Sequence, residues 1–218
     1  MATMTRKVTN EVSWGEIQAL VNQGRAADFR AGDEVRQVLK DGSVMDFAVA
    51  AVNHYQDDEI IFVMKNCIGE ELPMNEEDTN AGGWPRSYLR EKANTDILAL
   101  LPDELVEVIA PRKIVQIVRG ERFECEDKLW APSEVEYSGE SRYGVEEEGD
   151  KQFEFYKEVK NRISLDADGD PCWKWERSPY RGYSYYFMYV GTYGYPNSHF
   201  WANNRFGVAL GFCIRKSK

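Results

Sequence analysis

The chain has 218 residues, of which 43% are hydrophobic and 13% aromatic, so it can bury the core of one large domain or two small ones. This composition excludes an intrinsically disordered chain. A formal net charge of -10 argues against a nucleic-acid-binding protein, because such proteins usually carry a basic footprint.

The apolar runs and the cysteines indicate the compartment. No segment approaches the roughly 20 apolar residues of a membrane span, and the opening MATMTRKVTNEVSW lacks the apolar run of a signal peptide. We therefore expect neither membrane insertion nor a signal peptide. Cys67, Cys125, Cys172 and Cys213 form no CxxC pair, which disfavours a zinc site and a dense disulfide scaffold. We interpret all four as buried thiols of a protein made in a reducing compartment.

The first third of the chain predicts one helix and three strands. Ser13 and Glu16 form a capping box at the start of SWGEIQALVNQ, a short amphipathic helix that Gly24 ends. The stretch EVRQVLKDGSVMDFAVAAVNHY has the alternation of a hairpin, with Asp41 and Gly42 as its turn. EIIFVMKNC then predicts a third strand.

The middle of the chain combines loop, helix and strand patterns. Residues 67–83 are acidic and contain glycines, which indicates a surface loop. WPRSYLREKANTDILALLP has apolar residues at helical spacing and a stop at Pro102. LVEVIAPRKIVQIVRG predicts strand structure interrupted at Pro111.

The last third begins with a second acidic segment, residues 134–150, in which we expect a loop with solvated carboxylates from Glu146 to Glu148. KQFEFYKEVKNRI resumes a helical pattern with Phe155 on its apolar side. YYFMYV and GVALGFCIR predict strands, the last of them buried on at least one face. Helix and strand signals without regular β-α-β spacing predict an α+β fold.

Candidate catalytic groups are few. His54 and His199 lie in no recognisable catalytic motif, and no phosphate-binding glycine loop is present. DADGD, residues 166–170, begins like a calcium loop, but Arg177 stands where that loop needs its twelfth-position glutamate. We interpret DADGD as a solvated turn, and we expect no metal, no cofactor and no enzymatic activity.

The C-terminal tail differs chemically from the rest of the chain. Residues 177–218 contain six Lys or Arg and no Asp or Glu, so the tail carries +6 and the preceding 176 residues carry -16. Residues 179–206 hold seven of the twelve tyrosines, interleaved with Asn, Ser and Gly. This composition is typical of paratopes, because Tyr gives a large contact area at low entropic cost and the small polar residues adapt. Cross-strand pairing within a sheet is the alternative role of these tyrosines.

Ordered motifs of the tail resemble a known family. They are WERSP (175–179), FMYV (187–190), Gly194, ANN (202–204) and GVALGFC (207–213). In this order they resemble the variable proteins of phage and prophage diversity-generating retroelements. WPRSYLR (84–90) and LWAPSEV (129–135) resemble two further motifs of a phage-associated family with the same tail, so the resemblance spans most of residues 29–215.

The resemblance implies a fold and a domain organisation. The fold is C-type-lectin-like, of the formylglycine-generating-enzyme type, with short twisted antiparallel strands, two or three helices and long irregular loops. One such domain would cover residues 29–218 behind an N-terminal helical lead, residues 1–28. Its variable region would span about residues 177–206.

In that family a reverse transcriptase copies a template with errors at adenines, so Asn codons of the target become codons for Tyr, Ser, His, Asp, Gly, Arg or Phe. Residues 177–206 fit such an output, because Tyr, Asn, Ser, His, Gly and Arg recur and Lys, Glu and Gln are absent. Met188 and Trp201 cannot arise from an Asn codon in this way, so we expect scaffold or template-fixed residues there.

The resemblance also separates packing residues from ligand-facing residues. The implied framework consists of Trp175, Arg177, Ser178, Phe187, Val190, Gly207, Val208, Gly211 and Phe212. The candidate ligand-binding residues are Tyr180, Tyr183, Tyr185, Tyr186, Tyr189, Tyr193, Tyr195, Asn197, Ser198, His199, Trp201, Asn203 and Asn204.

The implied function is receptor recognition without catalysis. The protein would be made in the bacterial cytoplasm, join the virion tail, and bind a protein or glycan on a host cell surface, as a homo-oligomer or beside other phage subunits. A carbohydrate-binding module with Tyr193, Tyr195 and Trp201 stacked on sugars and calcium at DADGD is one alternative, and a structural tail component is another. An enzyme of the formylglycine-generating type is disfavoured, because Cys172 and Cys213 have no matching neighbourhood.

Overall fold

The computed structural model describes residues 12–145, 147, 149–196 and 198–217. Within them, short helices accompany fourteen strands, and all paired strands are antiparallel. This mixed architecture confirms the predicted α+β class. Among the same residues, no helix combines the length and the apolar character needed to cross a bilayer.

The strands are short and form one larger sheet and four small ones. They are β1 (Glu34–Val38), β2 (Val44–Val52), β3 (Glu59–Met64), β4 (Leu72–Pro73), β5 (Ile109–Ala110), β6 (Arg112–Val118), β7 (Glu121–Asp127), β8 (Ser164–Leu165), β9 (Pro171–Cys172), β10 (Lys174–Pro179), β11 (Tyr186–Val190), β12 (Ser198–Trp201), β13 (Arg205–Phe206) and β14 (Gly211–Arg215). The larger sheet has the order β1-β2-β3-β14-β5, and the small sheets are β10-β11-β12, β13-β4, β6-β7 and β8-β9.

The helices are α1 (Trp14–Asn22), α2 (Tyr88–Lys92), α3 (Leu98–Leu100), α4 (Asp103–Val108) and α5 (Glu134–Ser138). A π-helical stretch, Ala93–Ile97, joins α2 to α3, so the helical path ends just before Pro102 as predicted. 3₁₀ turns form at Ala26–Asp28, Trp84–Arg86, Glu154–Lys157 and Val159–Arg162.

The N-terminal helix packs on the larger sheet. The Ser13 hydroxyl accepts a hydrogen bond from the Glu16 amide (3.2 Å) and the Glu16 carboxylate accepts one from the Ser13 amide (2.8 Å), which confirms the capping box. The edge of the Trp14 ring then meets Phe47, Phe62 and Phe212 at centroid distances of 5.9, 5.4 and 5.7 Å. Because Phe212 belongs to β14, both ends of the described chain meet in one core.

The predicted hairpin and the strand after it are confirmed. β1 and β2 pair from Glu34 opposite Ala48 to Val38 opposite Val44, around the turn at Asp41 and Gly42. The final strand, β14, inserts between β3 and β5 and is buried from Gly211 to Ile214, as expected for a strand in the middle of a sheet.

Two secondary-structure predictions are wrong. Residues 105–108, at the start of the strand predicted from Leu105, belong to helix α4, because Asp103 and Glu104 start a helical turn that packs Leu105 inward near α1. The rest of that prediction is confirmed, since β5 and β6 lie on either side of Pro111. KQFEFYKEVKNRI forms two 3₁₀ turns and not a helix. Phe153 and Phe155 are both buried, whereas side chains two positions apart in an α-helix point to nearly opposite sides, so an α-helix could not turn both toward the core.

Both acidic segments predicted as surface loops contain buried residues. Within residues 67–83, β4 pairs with β13, and Asn80 is buried. Within residues 134–150, Ser133 caps α5, and Glu136 and Glu147 are buried. Charged side chains can be buried in this way because they meet arginines that are distant in sequence. The prediction of a solvated Glu147 is therefore wrong, whereas its neighbours at 146 and 148 lie outside the described residues.

Candidate functional site

The candidate ligand-binding residues lie on the three-stranded sheet β10-β11-β12 and in the loops that adjoin it. Tyr186 lies opposite Trp201, and Met188 lies opposite His199, in the register of β11 and β12. Side chains alternate along a strand, so these four residues share one face of the sheet. Tyr189 points to the other face.

Six aromatic rings form a continuous patch on the face of the sheet that carries Tyr186, His199 and Trp201. The ring of Tyr180 stacks on His199 at 4.0 Å and 9°, and on Tyr183 at 6.0 Å. Tyr186 meets Trp201 edge to face at 5.3 Å. Tyr183 and Trp201 are 53% and 41% exposed, so the outer part of the patch is open to a ligand. The patch, as named below, comprises Tyr180, Tyr183, Tyr185, Tyr186, His199 and Trp201.

Asn80 holds the loop that carries the patch. Its buried side-chain amide is 3.1, 2.9 and 2.9 Å from the carbonyl oxygens of Tyr180, Tyr183 and Tyr186 and shares its two hydrogens among them. Its backbone amide donates to the carbonyl of Ser184 at 2.6 Å. Sequence reasoning missed this residue, because it lies about a hundred positions from the loop in a segment with the composition of a surface loop.

A cleft of about 520 Å³ opens beside Tyr180. It is lined by Ile117, Val118, Arg119, Val145, Tyr180 and Arg181. The Arg181 guanidinium donates to the carbonyl oxygens of Ser141 and Arg142, at 2.9 and 2.7 Å, which fixes one wall. The patch therefore borders a concave surface with both apolar and cationic groups.

The remaining aromatic candidates do not join the patch. Tyr189 packs on the opposite face with Trp173, Phe200 and Phe206, at 5.4, 6.5 and 5.0 Å, which is a packing role. Tyr193 is 79% exposed on the turn after β11. Tyr195 is 58% exposed and lines a separate pocket of about 190 Å³ with Arg162 and Pro196.

The polar candidates lie at the ends of β12. Ser198 starts the strand opposite Tyr189, on the face away from the patch. Asn203 and Asn204 form the turn after Trp201, where the Asn204 amide donates to the Trp201 carbonyl at 3.1 Å. Asn203 is exposed, and its amide is 3.4 Å from a carboxylate oxygen of Asp78. Asn197 lies outside the described residues.

A buried ion network is centred on Arg177 of β10, in the three-stranded sheet. The guanidinium of Arg177 donates to Glu147 and Asp150, both at 2.6 Å, and to Glu136 at 2.5 Å. Arg112 also binds Glu136 and Asp150. Burial raises the pKa of Glu136, but the two arginines outweigh burial and hold that pKa at about 2. Arg177, one of the framework residues that the resemblance implies, is thus the centre of this network.

Two further charged groups of β10 are buried. Burial raises the pKa of Glu176 well above its ordinary range, and both its carboxyl oxygens lack a hydrogen-bond partner among the described residues. Burial lowers the pKa of Lys174 to about 8, and its ammonium group donates to the Ser164 hydroxyl at 2.7 Å. The burial of these two side chains was not predicted from the sequence, because WKWERSP has no polar and apolar alternation that would separate buried from exposed positions.

The residues considered for catalysis or metal binding are dispersed. A ring nitrogen of His54 lies 3.1 Å from the Lys151 carbonyl, whereas His199 belongs to the patch, where burial lowers its pKa. DADGD is the turn between β8 and β9, and the Asp166 carboxylate accepts from the amides of Asp168 and Asp170 at 3.0 Å. No group of three or more His, Cys, Asp or Glu that could hold a metal ion occurs in the described part of the chain.

The family assignment rests on residues 58–216, which match DUF6273, described as a domain of unknown function. The matched segment includes β3 to β14 and therefore the whole three-stranded sheet. No curated protein and no solved structure matches the chain. Because the match extends over more than half of its length, the chain belongs to the DUF6273 family.

Proposed function

We propose that the protein recognises a macromolecular ligand through the aromatic patch and that it has no catalytic role. The observation that carries this proposal is the continuous set of six rings, partly exposed, on one face of the β10-β11-β12 sheet. Tyr and Trp at such a surface supply contact area and a polar tip together, and they dominate the binding energy of many interfaces.

The distribution of burial supports a variable protein of the diversity-generating type. All nine framework positions are buried, whereas each of the twelve described candidate positions is half-buried or exposed. Substitutions at exposed positions usually change stability little, while buried positions set the fold. Met188, which Asn-codon mutagenesis cannot produce, is also fully buried. A scaffold that accepts many surface sequences requires this separation.

The fold part of the proposal is a C-type-lectin-like domain. Its support is the set of short antiparallel strands, together with the largely irregular path of the described residues between α5 and β8, and the separate small sheet that carries the variable window. The ligand class is a protein or glycan on a host cell surface, and the site of action is the virion. Recognition would follow from shape complementarity and ring stacking, with few residues contributing most of the affinity.

A randomised library tests whether the patch is a tolerant binding surface. Tyr183, Tyr185, Tyr186, His199 and Trp201 are varied together, the variants are displayed, and binders are selected against immobilised lysozyme. We expect most variants to fold and selection to yield binders with sub-micromolar dissociation constants. A matched library at the buried Phe187, Val190, Val208 and Phe212 is the control, and we expect it to yield mostly unfolded protein. A patch library that unfolds as often as the control would overturn the proposal.

Gene copies from one population test the diversification claim. We expect adenine-type codon changes at the candidate positions of residues 177–206 other than Trp201, and constant codons at Trp201 and at the nine framework positions. An adenine-biased near-repeat of the 3' end beside a reverse transcriptase gene is also expected. Variation spread evenly over framework and candidates would contradict the claim. A glycan array with and without chelator separates a calcium-dependent lectin from a metal-independent binder.

A further inference from the structure

We propose that Cys67 and Cys172 form a peroxide-responsive thiol pair that closes to a disulfide. The two sulfur atoms are 2.7 Å apart, although 105 positions separate the residues in sequence. This site is independent of the aromatic patch. Cys172 and Cys213 are buried as predicted, whereas Cys67 and Cys125 are only half-buried, so the prediction of four buried thiols is wrong for these two.

The backbone holds both cysteines beside the same short strand. The Cys67 amide donates to the Leu165 carbonyl at 2.9 Å, and Cys172 pairs with Ser164 across β8 and β9. A disulfide bond is about 2.04 Å long, so closure needs a movement of only about 0.7 Å. Both thiols are therefore placed for bonding without rearrangement of the strands.

The Gly207 backbone packs closely against the Cys67 side chain. A Cβ atom on Gly207 would lie 2.4 Å from the Cys67 sulfur, so only glycine leaves room for that side chain. Gly207 is one of the framework positions of the tail. Its amide donates to the Trp173 carbonyl at 2.8 Å, which keeps the Gly207 backbone against the segment that contains Cys172.

The two thiols differ in acidity. The hydrogen bond from Cys67 lowers the pKa of Cys172; burial opposes this shift, and the positive charge of Lys174 adds to it. The same hydrogen bond, together with burial, raises the pKa of Cys67. Cys172 is therefore the thiol that ionises first, and Cys67 keeps its proton. This asymmetry is typical of an attacking cysteine beside a resolving cysteine.

Oxidation of the two thiols to a disulfide requires a two-electron oxidant, and hydrogen peroxide can supply this role. The Cys172 thiolate attacks one peroxide oxygen, the O–O bond breaks, and the leaving hydroxide takes a proton to become water. The product at Cys172 is a sulfenic acid. The Cys67 sulfur then attacks the Cys172 sulfur, the S–O bond breaks, and the hydroxyl group leaves with the Cys67 proton as a second water. Two thiols are oxidised to one disulfide while hydrogen peroxide is reduced to two waters.

The other two cysteines provide an internal control. Burial raises the pKa of Cys125 to about 12, helped by the charge of Asp127, and burial also raises the pKa of Cys213 to about 12. Thiols of such low acidity react slowly with peroxide, because the thiolate is the nucleophile.

Thiol counting on the reduced full-length protein tests the pair. One equivalent of hydrogen peroxide is added, the protein is denatured, free thiols are alkylated, and the product is examined by mass spectrometry. We expect the count to fall from four to two, a peptide containing Cys67 to be linked to a peptide containing Cys172, and dithiothreitol to restore four thiols.

Single variants separate the roles of the two thiols. Cys67→Ser should give a sulfenic acid at Cys172 that dimedone traps, whereas Cys172→Ser should keep its three thiols at the same dose. Cys125→Ser is the matched control and should still lose two thiols. Four thiols remaining in the treated wild-type protein, or a cross-link between any other pair, would overturn the proposal, and the wild-type measurement does not depend on the folding of any variant.

Discussion

The guanidinium of Arg177 is fully buried, and each of its nitrogens meets a carboxylate. A buried charge is tolerated only when it is paired and hydrogen-bonded, so the three carboxylates and the arginine depend on one another. The nearby Arg112 shares two of these carboxylates and also lies 4.2 Å above the ring of Tyr55. The tail is thus tied to α5 and to β6 through charge rather than through apolar contacts alone.

Replacing this central arginine should be strongly destabilising. We expect Arg177→Met to lower the free energy of unfolding by about 3–5 kcal/mol, because it leaves buried carboxylates with one arginine in place of two. Urea denaturation at neutral pH measures the change. Arg205→Met is the matched control, because Arg205 is exposed and should shift stability by less than about 0.5 kcal/mol. Equal effects of the two variants would contradict the assigned role.

The Glu176 carboxyl should make the free energy of unfolding fall as pH rises. Its folded-state pKa is raised above the ordinary value of 4.5 by burial and, next, by the charge of Glu134. The unfolded chain therefore releases this proton first, and the stabilising contribution present below pH 4.5 is lost as pH rises toward the raised pKa. We expect Glu176→Gln to gain stability relative to wild type by up to about 1.4 kcal/mol per pH unit above that value.

Urea unfolding at about pH 5, 6.5 and 8 measures this difference between the two proteins. Glu77→Gln, which replaces an exposed carboxylate, is the control and should follow the wild-type curve. A constant difference between Glu176→Gln and wild type across the range would show that the Glu176 carboxyl does not change its protonation preference on folding.

At the scale of elements, the loop between β10 and β11 depends on a segment far from it in sequence. The Asn80 side-chain amide contacts two carbonyl oxygens of this loop and that of Tyr186, the first residue of β11. The loop carries three of the six patch rings, Tyr180, Tyr183 and Tyr185. We expect Asn80→Ala to remove the side-chain donor from these three carbonyls and to destabilise the loop by about 1–3 kcal/mol. Hydrogen exchange of the amides of residues 181–185 should rise by one to two orders of magnitude.

Asn203→Ala is the matched control for this loop. The Asn203 side chain is exposed, and within the described part of the chain it makes no hydrogen bond to residues 180–185. Exchange in residues 181–185 should then be unchanged. Unchanged exchange in Asn80→Ala as well would mean that the loop is held by its own backbone, as in the 3.0 Å bond from the Tyr180 amide to the Tyr186 carbonyl.

The elements differ in how far the sequence predicts them. The capping box at Ser13 and the hairpin turn at Asp41 are local, so residues three or four apart were enough to predict them. Helix α4 was not predicted, because its apolar run is equally compatible with a strand and only its acidic first turn favours a helix. The buried state of Glu147 could not be predicted, because its partner Arg177 lies thirty positions away.

At the scale of the molecule, the family match begins at residue 58, but the larger sheet begins at β1. β1, β2 and α1 cover one edge of β3 and the apolar surface formed by Phe62 and Phe212. We expect the fragment 58–216 to aggregate or to unfold without cooperativity, since an exposed strand edge and an apolar face promote association. Size-exclusion chromatography and thermal unfolding followed by circular dichroism measure this.

The fragment 12–217 is the control and should be monodisperse and unfold cooperatively. A third fragment, 29–217, lacks α1 and the 3₁₀ turn Ala26–Asp28 and should be less stable than 12–217 by at least about 3 kcal/mol, because it loses the buried Trp14 ring. A well-behaved 58–216 fragment would instead show that the family segment folds independently of the N-terminal strands.

The sequence by itself determined the α+β class, the capped helix α1, the β1-β2 hairpin, the strands β3, β6, β11 and β14, and the aromatic, carboxylate-free character of residues 177–206, because these depend on neighbouring residues and on composition. Only the tertiary structure decided which candidate tyrosines share a surface, since strand register and loop path put Tyr180, Tyr186, His199 and Trp201 together and turn Tyr189 to the opposite face. It also decided the ion network around Arg177 and the close approach of Cys67 and Cys172. Such contacts join residues tens to a hundred positions apart, and no local pattern encodes them.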